Sequence, residues 1–152
     1  MRKPFPILLT NDCCGSMVIE TAILAPILLT LSLGTFEVGT MVARQSELQS
    51  AASEALAIAQ AAPPLESPQR DTIRDVLKAS TGLSSNDQVS VSETFRCGTD
   101  AAFVDSRDLC PSGSAISTYI QIVLTDRYEP QWTAFGLGEG VDLQVDRTVQ
   151  IQ

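Results

Sequence analysis

The sequence contains no histidine, and its acidic residues outnumber its basic ones by 18 to 10, for a formal net charge of -8. Histidine is the commonest general base and the commonest metal ligand, so its absence removes every triad that relies on imidazole. The acidic balance leaves no basic surface to bind a phosphate backbone. We therefore predict a protein that is not an enzyme, with no catalytic residue, no metal or other cofactor, and no nucleic-acid partner.

Charge is also scarce near the N-terminus, where an apolar run occupies residues 16–43. Between Asp12 and Arg44 the only charged residues are Glu20 and Glu37. At about 1.5 Å per residue a helix over this run is long enough to cross a hydrocarbon core of about 30 Å. The alternative is a cleaved secretory signal, whose apolar region should be shorter and should end in a small-x-small site. Because helix-favouring sequence continues without a break, we predict a single membrane-spanning helix.

The basic residues Arg2 and Lys3 precede this run, and acidic residues outnumber basic ones after it. Cytoplasmic flanks of membrane helices carry an excess of Lys and Arg. The N-terminus is therefore expected in the cytoplasm and the rest of the chain outside it.

Residues 44–62 are rich in helix formers and contain neither glycine nor proline. We expect the membrane helix to continue through them as a stalk, until Pro63 and Pro64 stop it. One face of this stalk carries apolar residues at steps of three and four, and it can lie against a sheet or a neighbouring helix. These residues are Leu48, Ala52, Ala55, Leu56 and Ala59.

The remaining residues, 63–152, predict a small α+β domain. A short helix is expected to begin with Ser67 as N-cap, to carry an apolar stripe of Ile73, Val76 and Leu77, and to end before Gly82. Three later runs have the period of two that is typical of half-buried strands. The residues that share one face are Val89, Val91 and Phe95 in the first run; Thr118, Ile120, Ile122 and Leu124 in the second; and Val141, Leu143, Val145, Val149 and Ile151 in the third. We predict a three-stranded antiparallel sheet.

A short motif, Gly15-Ser16-Met17-Val18-Ile19-Glu20, stands at the start of the apolar run. A carboxylate at the end of a membrane segment costs about 1 to 3 kcal/mol unless it is paired. Cleavage after Gly15 would create a partner, because Ser16 would then carry a free α-amine that can neutralise Glu20 in a bundle of such helices. The alternative interpretation is a carboxylate at the headgroup level of an ordinary anchor.

Here the sequence resembles the type IV pilin superfamily, and more narrowly the TadE-like minor pilins or pseudopilins of tight-adherence (Tad) pilus systems. The matching residues are Gly15, Glu20, Pro26, Gly34 and Glu37. The leader departs from the family pattern, since it has two basic residues rather than an arginine cluster. The resemblance does not separate the TadE, TadF and TadG types.

The resemblance implies that a prepilin peptidase removes a cytoplasmic leader, residues 1–15, by cutting between Gly15 and Ser16. It implies assembly roles for Glu20 and Pro26, and it implies a bacterial inner-membrane protein with a pilin-like periplasmic domain. The expected partners are that peptidase, other Tad pilins, pilus assembly proteins and the inner membrane. Whether the chain enters the pilus is left open.

Four cysteines form two kinds of pair. Cys97 and Cys110 lie in a polar loop that is expected outside the cytoplasm, where such pairs oxidise to disulfides, the alternative being two free thiols. Cys13 and Cys14 precede the membrane run. The sequence as a whole predicts a protein that acts in pilus assembly, initiation and adhesion through contacts. The alternative function is an unprocessed, membrane-anchored extracytoplasmic binding module.

Overall fold

A computed structural model describes residues 14–130 and 140–152, with side chains from residue 17 onward in the first range. Residues 1–13 of the predicted leader lie outside it. The helices are α1 (Cys14–Ala61) and α2 (Ser67–Thr81), and a 3-10 turn covers Arg107–Leu109. The strands are β1 (Val89–Cys97), β2 (Phe103–Val104), β3 (Ile116–Tyr128) and β4 (Val141–Gln150). The predicted α+β class is confirmed.

The sheet is antiparallel, with the strand order β2-β1-β3-β4. It has four strands, so the prediction of a three-stranded sheet was wrong. The additional strand, β2, pairs Val104 with Phe95 and Phe103 with Arg96 at the edge of β1. Two residues are too few to display a period of two, and sequence periodicity therefore could not reveal this strand. The loop between β1 and β3 supplies it by folding back on the strand that it leaves.

The core lies between one face of the sheet and the second half of α1. Leu48, Ala52, Ala55 and Ala59 are each no more than 5% exposed, as the predicted stalk face requires. Opposite them the sheet contributes Val89, Val91, Ile120, Ile122, Leu124, Leu143 and Val145. Alanines at three of the four helix positions leave room for the branched side chains of the sheet.

Helix α2 differs from its predicted form at two points. Its N-cap is Glu66, which forms a capping box with Gln69, and Ser67 is the first helical residue rather than the cap. In the predicted apolar stripe Leu77 is buried and Ile73 partly buried, but Val76 is 56% exposed. The helix is short and lies at the surface, so only its innermost positions reach the core. It ends at Gly82, whose φ of 72° is left-handed.

The chain divides into two units, Met1–Val38 and Gly39–Gln152. Within the first unit the structure describes one stretch of α1 and no other element. The second unit contains the rest of α1, α2 and the sheet.

Candidate functional site

The surface of α1 within the first unit is almost entirely apolar and exposed. Leu29 and Leu31 are 63% and 62% exposed, and Phe36 is 59% exposed. Within the described residues one helix is long and apolar enough to cross a membrane, and it is this one. Side chains of this kind are stable against lipid and unstable against water. The helix is therefore consistent with a single-pass membrane anchor.

The threonines of this stretch direct their hydroxyls back to their own helix. Thr21 Oγ1 donates to the carbonyl of Met17 at 2.8 Å, and Thr30 Oγ1 donates to that of Pro26 at 2.9 Å. Thr35 Oγ1 donates to the carbonyl of Ser32, also at 2.9 Å. A polar group without a partner is costly in a hydrocarbon environment, which offers no water. These internal bonds allow the hydroxyls to enter lipid.

The predicted processing and assembly residues all lie on α1, but the helix does not bring all of them to one side. Ser16 and Glu20 are four residues apart, which places them on the same face. Pro26 comes six residues after Glu20, a rotation of about 600°, and so it occupies a different face. The Glu20 side chain is exposed. Cleavage after Gly15 and the assembly roles of Glu20 and Pro26 stay predictions.

Pro26 lies inside α1 and has no N–H to donate to the carbonyl of Ala22. In a membrane the missing bond must be supplied by a neighbouring helix, a side chain or water. The helix nevertheless continues through this position. Pro26 thus creates a local need for a partner in the middle of an otherwise self-satisfied segment.

A second cluster, which we call the latch, joins α1 to the end of the sheet. It consists of Thr40, Arg44, Asp126 and Tyr128. The hydroxyls of Thr40 and Tyr128 lie 2.5 Å apart. Arg44 Nε donates to Asp126 Oδ2 at 2.7 Å.

The ion pair of the latch is only partly accessible to water, with 24% of the Arg44 side chain and 17% of the Asp126 side chain exposed. Burial alone would lower the pKa of Arg44. Hydrogen bonds to Asp126 and Glu47 outweigh that effect and raise the pKa above its ordinary value. The arginine is therefore held as a cation where α1 meets β3.

Sequence reasoning missed the latch, although a signal was present. Asp126 and Tyr128 continue the alternation of Ile122 and Leu124, and they therefore belong to the covered face of the sheet. A carboxylate in a buried register needs a cation. Arg44 is the first basic residue after the apolar run, but the 82 positions between it and Asp126 hide the pairing.

The predicted disulfide between Cys97 and Cys110 is present, with the two Cα atoms 5.4 Å apart. Nearby, the Arg107 guanidinium lies over the ring of Phe95, 5.1 Å from its centroid. Glu93 lies between two arginines, 3.6 Å from Arg70 and 3.8 Å from Arg107. Glu93 therefore links the disulfide loop, through Arg107, to α2, through Arg70. Within residues 14–130 and 140–152, no three carboxylate or cysteine side chains are grouped to hold a metal.

A family model for TadE-like proteins matches residues 15–56. Over this segment the chain is similar to TadE-like proteins. The match begins at Gly15, includes the whole apolar stretch of the TadE-like helix, and ends within the part of α1 that packs on the sheet. The match covers less than a third of the chain, and it supports a likeness to TadE-like proteins over this segment. Neither the curated proteins nor the solved structures include a match to this chain.

Proposed function

We propose that this TadE-like protein is a minor pilin or pseudopilin of a Tad pilus system. A prepilin peptidase removes residues 1–15 on the cytoplasmic side of the bacterial inner membrane. Residues 16–43 then span the membrane, residues 44–62 form a helical stalk, and residues 63–152 complete a periplasmic α+β domain. The protein acts with other Tad pilins and assembly proteins in pilus assembly, initiation and adhesion.

The observation that carries this proposal is the agreement between the family match and the chemistry of the helix. The match starts at Gly15, the residue after which cleavage is predicted. Five residues later Glu20 exposes a carboxylate at the start of the apolar surface. A new α-amine at Ser16 would lie on the same helix face as that carboxylate, or could meet it on a neighbouring chain. The processing motif and the exposed apolar helix thus support one assembly mechanism.

Cleavage is tested by intact mass measurement of the full chain isolated from membranes that contain a prepilin peptidase. We expect a mature form that lacks residues 1–15, and we expect Gly15→Leu to retain the full mass. Gly34→Leu is the matched control, because it changes the same residue type in the same helix and its new side chain has open space around its Cβ. Full-length protein in every sample would overturn the processing step.

The assembly role is tested with Glu20→Ala. We expect this variant to be processed normally but to enter sheared pili or assembly complexes roughly tenfold less, since about 1.4 kcal/mol of charge pairing is lost. Glu54→Ala, an exposed carboxylate on the stalk, is the control and should change neither measurement. Normal incorporation of Glu20→Ala would contradict the proposed pairing.

The second candidate is an unprocessed anchored module that binds an extracytoplasmic ligand through its sheet or its cysteine loop. The disulfide favours a fixed loop at one end of the sheet, as a binding surface requires. Two results together would favour this candidate over the pilin. The membrane-bound protein would keep Met1, and cells that lack the protein would still form normal pili.

A further inference from the structure

The latch fixes the direction in which the sheet lies along α1. Thr40 and Arg44 are four residues apart on the helix, a rise of about 6 Å. Their partners Tyr128 and Asp126 are two residues apart on β3, a rise of about 6.6 Å. The two spacings agree, so β3 runs antiparallel to α1 at this point. The end of β3 that carries Tyr128 therefore lies beside the earliest helical residues of the second unit.

Those residues lie at the end of the proposed membrane span of residues 16–43, on which this inference rests. From Ser16 to Glu37 the helix rises by about 32 Å, close to the hydrocarbon thickness of about 30 Å. The polar headgroup layer adds about 5 to 7 Å on each side, or four to five helical residues. Thr40, three residues beyond Glu37, falls within that layer.

We propose that the end of the sheet formed by Tyr128 and Val141 is seated in the headgroup layer of the membrane that holds α1. These two residues are paired across β3 and β4, and Val141 is 43% exposed. Tyrosine is enriched at this depth because its ring is apolar and its hydroxyl is polar. The hydroxyl bond to Thr40 holds the ring at the level of the helix exit.

Two ion pairs lie at this end of the sheet. Arg44 bonds Asp126, and Arg127 bonds Asp142 at 3.0 Å. No excess of basic charge among these four residues attracts anionic headgroups, so the contact depends on the anchor and on apolar surface. We therefore expect it to be the same in zwitterionic vesicles and in vesicles with anionic lipid.

The test places a single tryptophan at either end of the sheet. The sequence has one tryptophan, Trp132, which is replaced by phenylalanine to give a silent background. Val141→Trp probes the proposed membrane end and Ile116→Trp the opposite end of β3; the native side chains are 43% and 42% exposed. The full chains are reconstituted into phosphatidylcholine vesicles that contain a lipid with a nitroxide on its headgroup.

A second pair of tryptophan variants controls for disturbed packing, because the native side chains at these two positions are more exposed. Asp142→Trp lies beside Val141, and Leu109→Trp lies beside the disulfide; these side chains are 71% and 67% exposed. Phe36→Trp, read with lipids brominated on the acyl chains, reports insertion of the anchor itself.

We expect the headgroup nitroxide to quench Val141→Trp and Asp142→Trp by about half. Ile116→Trp and Leu109→Trp should lose less than about a tenth, because the 13 residues of β3 extend about 40 Å. Equal quenching at both ends, or none at Val141 and Asp142 while Phe36→Trp is quenched, would overturn the seating alone. An unquenched Phe36→Trp would overturn the membrane anchor, and the seating with it.

Discussion

The two halves of α1 place similar residues in opposite surroundings. In the first unit Leu29 is 63% exposed, whereas Leu48, nineteen residues later in the same helix, is fully buried. The first half has apolar side chains all round, and the second has an apolar stripe of small residues facing a sheet. The comparison shows that the second half is stabilised by its own domain, while the first half requires an apolar environment that the described residues do not supply.

The same contrast holds for polar groups. Threonines in the first half bond to carbonyls one turn earlier, within the helix. In the second half Thr40 and Arg44 bond to residues of β3. The threonines of the first half are thus satisfied within their own helix, whereas Thr40 and Arg44 of the second half depend on the sheet.

The largest difference in stability between the two halves is expected when a leucine of each half is replaced, in separate variants, by alanine. Leu48→Ala should lower the free energy of unfolding of the domain by about 3 kcal/mol, since it removes a buried side chain and leaves a cavity. Leu29→Ala should leave it unchanged. Urea unfolding of the full chain in detergent, followed by circular dichroism, measures both. An equal loss in the two variants would show that the halves are not energetically separate.

The disulfide gives the next largest effect, and it concerns only the second unit. Replacing Cys97 and Cys110 together by serine releases a link between residues 13 positions apart. Loop-closure entropy predicts a loss of about 3 kcal/mol at most in the same unfolding experiment. Serine at both Cys13 and Cys14 is the matched control, which removes two cysteines before the apolar run. A stability equal to that of the parent chain would contradict a structural role for the bridge.

The sequence predicted best those elements that repeat a simple period. The core includes the stalk face from Leu48 to Ala59, Val89 and Val91 of β1, and Ile120, Ile122 and Leu124 of β3, as their spacing indicates. Phe95 of β1 is buried apart from that cluster. It predicted less well what depends on contacts between distant residues. Strand β2 forms because a loop returns to β1, and the N-cap shifts to Glu66 because Gln69 can close a capping box with it.

The candidate site shows the same limit. The processing motif is local, so the chain itself reveals Gly15 and Glu20 as a pattern, and the family match covers both. The latch joins residues more than 80 positions apart, and no local pattern pairs Arg44 with Asp126. Three-dimensional packing was needed to find it.

A smaller effect on stability is expected from the Arg44–Asp126 ion pair, which lies near the boundary of the two halves. Asp126→Asn should destabilise the domain by about 1.5 kcal/mol, because it leaves the largely buried Arg44 with only the more exposed carboxylate of Glu47 as a partner. Asp142→Asn breaks the more exposed pair with Arg127 and should cost less than about 0.5 kcal/mol. A double-mutant cycle with Arg44→Gln isolates the coupling within the latch. If the coupling energy between Arg44 and Asp126 is no larger than that between Arg127 and Asp142, the latch stabilises the domain no more than an exposed ion pair does.

The smallest effect is expected from Tyr128→Phe, which keeps the ring and deletes only the hydroxyl that meets Thr40. The loss should be about 1 kcal/mol, because the bond is partly buried and Thr40 keeps its place on the helix. Tyr119→Phe is the control: its hydroxyl donates to the exposed Gln150 side chain at 3.2 Å, where water can replace the bond. If Tyr119→Phe costs as much as Tyr128→Phe, the helix–sheet bond contributes no more than an ordinary surface contact. The sheet would then be held to α1 by its apolar core and by the Arg44–Asp126 pair.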